Sequence, residues 1–233
     1  MNFDFQVMFE TILIVLQAVP RTFLIAFLIL LVGILFGGII AFIKIKQVPI
    51  LSQIINVFVS YVRGVPLIVH LFVVMSSLPE GASSLLKAVG FEMQPHEFPS
   101  ILIVLVTYSF LEAAIQSENI RGAFQSIDPQ QIEAGLSIGF TRRQNLRRII
   151  IPQAMAVALP MFLNALLKII KALSLAFTVG AVDIMAQARF AAALSSRYLE
   201  SYIAAALVYW FICGILLIVF NKIEKRLQLG STR

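Results

Sequence analysis

Residues 22–43 read TFLIAFLILLVGILFGGIIAFI, an uncharged run that stops at Lys44 and Lys46. A helix needs about 20 predominantly apolar residues to cross the hydrocarbon core of a bilayer, so this run is long enough to span it. Gly33 and Gly37 stand four residues apart within it, with Gly38 alongside. Small residues at that spacing let a second helix approach closely, and they are also tolerated in a helix that merely faces lipid.

Composition extends that reading to the whole chain. Of 233 residues, 60% are hydrophobic and 13% charged, and mean hydropathy is +0.94. Soluble domains run to about 45–50% apolar and about 25% charged. A water-exposed domain of this size could not hide so much apolar surface, so lipid must cover part of it. The chain is expected to form one all-α integral membrane domain over residues 1–233, with no interdomain linker. The net charge of +6 does not point to nucleic acid, because Lys and Arg gather at the ends of apolar runs, as short cytoplasmic loops require. Cys213 is the only cysteine; it excludes an intrachain disulfide framework or thiolate metal site and reads as a small packed hydrophobe.

Four further spans are expected. The second is about 64–78, with 50–61 as an amphipathic lead-in broken by Arg63-Gly64-Val65-Pro66, and 79–99 follows as an acidic loop. The third covers about 98–117 and contains Glu112; the fourth, about 149–167, contains Pro152 and Pro160; the fifth covers about 202–220. Residues 1–17 carry Asp4 and Glu10 and no basic residue before their apolar stretch, unlike a cleaved signal peptide; residues 1–21 are taken together as one interfacial N-terminal segment. Phe5, Met8, Phe9, Ile12, Leu13 and Leu16 follow helical spacing, which predicts an amphipathic helix along the membrane interface. Lys44, Lys46 and Arg63, then Arg121, Arg142, Arg143, Arg147 and Arg148, then Lys222, Lys225 and Arg226 fall on one side only if the N-terminus is outside and the C-terminus cytoplasmic.

Residues 118–148 form the polar connection that packing alone does not explain. Asp128-Pro129 suits an N-cap and first helical position, Gly139 suits a left-handed stop, and Thr141 can cap the next helix. A short helix across the inner face, followed by a second leading into span four, is suited to docking a soluble partner.

These residues carry a family resemblance. Glu133-Ala134-Gly135, Gly139 and Ile151-Pro152 resemble the Glu-Ala-Ala loop of permease subunits of bacterial ATP-binding-cassette importers. Arg63-Gly64-Val65-Pro66-Leu67, Glu118-Asn119-Ile120-Arg121-Gly122-Ala123, Pro152-Gln153-Ala154 and Tyr209-Trp210 resemble the polar-amino-acid branch. The flanks of Glu112 and residues 202–210 look most like Gram-positive cystine-type permeases, with glutamine and arginine still open. The resemblance implies a type I importer fold with Glu133, Ala134, Gly135 and Gly139 coupling the chain to an ATPase. It also implies two permease chains, identical or paralogous, two ATPase subunits that bind the ATP, and an extracytoplasmic binding protein. Two positions depart from the pattern. Gly135 replaces alanine, which predicts a looser docking helix, and Lys171-Ala172-Leu173-Ser174 lacks a polar group usual after the lysine.

No GxxxxGK[ST] phosphate cradle occurs, so hydrolysis belongs to a partner and this chain needs no cofactor of its own. Glu133 and Gly139 also have plain readings, an exposed helical carboxylate and a helix stop. The candidate substrate path comprises Arg63, Glu112, Lys168, Lys171 and Ser174. An intramembrane carboxylate such as Glu112 is a functional candidate by default; it either meets a substrate ammonium or pairs with Lys168 or Lys171. Those lysines either meet the substrate carboxylate or snorkel to the interface, and Arg63 lines the path or braces the Gly-Pro break. Asp183 and Arg189 fall in a return segment after span four. His70 and His96 lack ligand-like neighbours, so no metal site is expected. The rival reading, an ion-coupled secondary transporter, usually needs internal repeats; none is found, and five spans do not divide into equal halves.

Overall fold

The computed structural model describes the backbone of residues 3–231 and side chains through Lys225. Met1, Asn2 and the Arg226 side chain, invoked above for the first helix and the last basic cluster, lie outside the described residues. Secondary structure among the described residues is entirely helical.

Helix α1 (Phe5–Leu16) is capped by Asp4, whose carboxylate accepts from the Gln6 and Val7 amides. It buries Met8, Thr11 and Val15, while Phe5, Phe9 and Leu13 stay more than half exposed. Its buried face packs against other helices, so α1 is docked on the bundle as well as amphipathic. Val15 joins Ile184, Ala188, Ala205, Val208 and Ile212 in one apolar cluster.

Helix α2 (Val19–Ile45) is the first span. Helix α3 (Leu51–Gly64) is a separate element, because Val65, preceding Pro66, is extended (φ −101°, ψ 134°), as a residue before proline prefers. Helix α4 (Leu67–Ala88) continues for nine residues beyond Pro79. The acidic loop expected at 79–99 is therefore half helix. A proline forfeits one backbone hydrogen bond and kinks rather than necessarily ends a helix, and Ala82, Leu85, Leu86 and Ala88 are good helix formers that resume it. The stop comes at Gly90 (φ +87°), where the Phe91 amide donates to the Leu86 carbonyl.

Helix α5 (Ser100–Gln125) runs two turns past the expected end of span three. Glu118 and Arg121 lie on its surface three residues apart and pair (2.7 Å), and that contact helps carry polar sequence on as helix. The connecting segment thus begins at Ser126. It contains α6 (Pro129–Ser137) and α7 (Arg142–Asn145), then one π turn (Leu146–Ile150) leading into α8 (Ile151–Ala172). Span four starts earlier and ends later than expected, continuing as a 3₁₀ segment to Val179. Helix α9 (Ile184–Ser195) fills the return segment and α10 (Tyr198–Ser231) completes the bundle. Among the described residues, five helices are long and apolar enough to span a membrane.

The core centres on α2 against α5. A Cβ at Gly33 would lie 2.6 Å from Glu112 Cβ, and one at Gly37 would lie 2.9 Å from both the Ala113 carbonyl oxygen and the Ser117 nitrogen. Both glycines are therefore required by backbone approach. Gly38 is not; only Ile120 Cδ1, at 3.9 Å, comes near. Ile25, Ile29, Leu71, Val104, Tyr108, Ile169 and Ile170 complete the main buried cluster.

Candidate coupling surface and translocation path

At the end of the bundle bearing Lys44, Arg121 and Arg142–Arg148, α6 lies exposed. Asp128 caps it by accepting from the Gln130 amide (2.9 Å). Its far end is a Schellman turn: the Phe140 amide donates to the Gly135 carbonyl and the Gly139 amide to the Leu136 carbonyl, with Gly139 at φ +88°. That left-handed conformation is what glycine supplies at little cost. Glu133 and Ala134 face outward beside Leu136 and Ile138, the latter 72% exposed.

Gly135 corrects the sequence reading. It faces inward, and a Cβ there would lie 2.7 Å from Asn145 Oδ1 and 2.7 Å from Ile149 Cδ1. Its lack of a side chain lets α6 settle onto α7 and the π turn that leads into α8, so the helix is held rather than loosened. Three more contacts fasten the same corner. Asn145 Nδ2 donates to the Ile132 carbonyl (2.7 Å), Gln153 Nε2 donates to Gln131 Oε1 (2.6 Å), and the Arg148 guanidinium lies 5.4 Å from the Phe140 ring centre. Asn145 escaped the sequence reading because one polar residue in a polar stretch gives no signal of burial.

Glu118, read above only as part of a motif, is the node at this end. It pairs with Lys44 of α2 and with Arg121 of its own helix, and Arg121 also donates to Gln125 (2.7 Å). Spacing to Arg121 was visible in sequence; the approach of Lys44 was not. Arg63 lines a cleft of about 480 Å³ with Lys44, Asn56, Ser60 and Glu118. It is therefore apart from the α8 lysines.

Glu112 is buried (6% exposed) under α2 and accepts from Gln116 Nε2 (2.6 Å). The suggested ion pair with Lys168 or Lys171 is not formed among the described residues. Gln116, one turn along the same helix, is nearer and already inside the packed interface.

Lys168 and Lys171 are exposed on α8, as is Asn164 one turn before them, and the half-buried Ser174 donates to the Lys171 carbonyl (2.8 Å). Positions 164, 168, 171 and 174 share one helix face by their spacing. In the return segment, Asp183 caps α9 through the Met185 and Ala186 amides and accepts from the Tyr209 hydroxyl (3.2 Å). Arg189 stacks on Phe177 at 4.3 Å. Both have structural roles, and among the described residues no group of three or more His, Cys, Asp and Glu is placed to hold a metal ion.

One outward-facing helix locked to the base of a membrane span, and a polar face farther along that span, define a multi-spanning transport protein. Residues 2–229 match the family described as binding-protein-dependent transport system inner membrane component, and the chain belongs to that family. It is a multi-pass protein of the inner membrane. Among similar proteins, the probable amino-acid ABC transporter permease protein PatM of Vibrio harveyi is 36% identical over the full length of both chains. The L-cystine transport system permease protein TcyL of Bacillus subtilis is 33% identical, covering 92% of this chain and 87% of its own. The crystal structure of an amino acid ABC transporter with histidines superposes with a TM-score of 0.81 at 26% identity, over 97% of this chain and 100% of the other. The expected family and all-α fold are thereby established, and the secondary-transporter reading finds no support.

Proposed function

We propose that the chain is the membrane-spanning subunit of an ATP-driven importer for a polar amino acid. It would work with a second permease chain, two ATP-binding subunits and an extracytoplasmic binding protein. The names of its relatives support an amino acid, and TcyL makes L-cystine the first substrate to try. The charge distribution supports an outside N-terminus and a cytoplasmic C-terminus.

The observation that carries the mechanism is the locking of α6 to α7 and to the π turn that continues into α8. An ATPase that grips Glu133, Ala134 and the turn ending at Gly139 moves α8 as well, because Gly135, Asn145 and Gln153 leave little slack between them. Bistable rigid-body movement of this kind is a common route from one side's open state to the other's.

At the other end of the lever are Asn164, Lys168, Lys171 and Ser174. The Tyr108 hydroxyl donates to the Ala172 carbonyl (2.7 Å), which puts this stretch beside a residue eight positions into α5. Eight residues is ~12 Å of helix, so the lysines lie at membrane depth. A charged residue there costs several kcal/mol against lipid, so the face is assigned to an aqueous path. The ammonium groups meet the substrate carboxylate, and Ser174 offers a hydroxyl. Glu112, held by Gln116, balances the lysines from behind and is separated from the path by packing. Arg63 serves the cytoplasmic cleft at the path's inner end.

The test is uptake of labelled cystine by the reconstituted complex, with ATP hydrolysis stimulated by the loaded binding protein. Lys168→Ala should lower uptake about tenfold, roughly 1.4 kcal/mol, without reducing ATPase recovery. Uptake driven by an ion gradient without ATP would reject the reading. Orientation is checked separately: Ser137→Cys, with Cys213 changed to serine, should react with an impermeant maleimide only after cells are opened.

A further inference from the structure

Between the ends of α2 and α5, the start of α3 and the α6–α8 corner lies a cavity of about 930 Å³. Its walls are apolar: Phe42, Ile120, Phe124 and Ile150, with Gly38 at the deep end. Gly38 lies seven residues inside the end of α2, ~10 Å at helical rise, so the deep end belongs to the hydrocarbon layer. The mouth belongs to the headgroup layer, and there the lining carries Lys44, Lys46 and Arg121 and no acidic residue. Lys44 and Arg121 share one carboxylate, Glu118. Lys46 has no ion pair among the described residues; its ammonium lies 5.8 Å from the centre of the Phe42 ring. The mouth therefore holds two positive charges more than negative ones.

We propose that this cavity binds an anionic phospholipid, with an acyl chain reaching Ile120 and the open space beside Gly38 and the headgroup phosphate on Lys46 and Lys44, towards which the long Arg121 side chain extends. Basic pockets between membrane helices, closed below by apolar side chains, fit that chemistry. A soluble ATPase has no route to Gly38 through the bilayer. The exposed faces of α6 are also turned away from this cavity, which takes only Ile132 from that helix. The bound lipid touches the coupling corner through Ile132 and Leu146, so its presence stiffens the α6–α8 unit. The inference rests on the bundle spanning the membrane and not on the identity of the substrate.

The experiment is native mass spectrometry of the complex released from nanodiscs of phosphatidylcholine and phosphatidylglycerol in equal parts. Wild type should retain phosphatidylglycerol in preference to phosphatidylcholine. Lys46→Gln should weaken that retention about fivefold, the effect of one charge near an anionic surface. Gly38→Leu should abolish it by filling the deep end, and the open space around Gly38 leaves the fold intact. If Gly38→Leu accumulates poorly, Lys46→Gln decides alone, since its side chain is at the surface. Equal retention of both lipids, or retention unchanged in the variants, overturns the proposal. So does capture of the ATPase or a second permease chain, instead of lipid, by a photo-crosslinker placed at Phe42. None of these readouts requires transport, so a wrong substrate leaves the result interpretable.

Discussion

The α2–α5 contact and the α6–α8 corner are both tight, and they are tight for different reasons. In the first, glycine removes side chains until backbone meets backbone: Gly37 stands against the Ala113 carbonyl and the Ser117 amide. In the second, a single glycine admits a polar side chain, Asn145, which then hydrogen-bonds the facing carbonyl. Lipid explains the first solution, since apolar side chains gain nothing by leaving it and close dispersion contact must hold the helices. The second solution is polar: Asn145 Nδ2 donates to the Ile132 carbonyl, while its Oδ1 is buried against Gly135 without a hydrogen-bond partner among the described residues. The first surface is built not to move. The second holds two short elements, α6 and α7, against each other, as the proposed coupling requires.

Breaking the first surface should have the largest effect. Gly37→Leu meets backbone that cannot yield, and overpacking costs typically about 1–3 kcal/mol and occasionally more, the upper end applying where backbone is the neighbour. Folded protein in detergent should fall sharply, while Gly38→Leu, one residue on, should unfold at the wild-type temperature. Equal behaviour of the two would deny that α2 and α5 pack through their backbones.

Next in size is the outer face of α6. Glu133→Lys should leave the permease folded and in the membrane but weaken ATPase association about thirtyfold, roughly 2 kcal/mol. Full recovery of an active complex would remove Glu133 from the coupling surface. Asn145→Ala sharpens the comparison from inside the corner. Loss of its bond to the Ile132 carbonyl should cost about 1 kcal/mol. Amide hydrogen exchange should speed up in residues 130–138 and remain slow in α2. The smallest effect belongs to Arg121→Gln, because Glu118 keeps Lys44 and a part-exposed pair contributes under about 1 kcal/mol. Thermal unfolding should hardly shift, and a large shift would make Glu118 a structural keystone.

Much of this could be read directly. Five spans followed from apolar run length, and α6 followed from Asp128-Pro129 and Gly139, whose cap and Schellman turn are local. Span ends were missed where the deciding partner was distant or where a breaker was absorbed. Residues 118–125 read as loop because Lys44, which faces Glu118, is 74 positions away. Pro79 read as an end because a single sequence does not show that a helix resumes after it. Of the two readings of Glu112, the ion pair with Lys168 or Lys171 is not formed, because Gln116 is within reach on the same helix.

By itself, the sequence determined that this chain crosses a membrane as a helical bundle, which side its basic loops favour, and where the short helix α6 begins and stops. Those properties depend on composition, run length and residues within one or two turns of each other. Tertiary structure alone decided which glycines are indispensable. It also decided that Gly135 fastens rather than loosens, that Arg63 stands apart from the α8 lysines, and that a basic-mouthed cavity exists beside the coupling corner. These depend on which surfaces meet across tens of residues, and close packing in three dimensions sets that where local pattern does not.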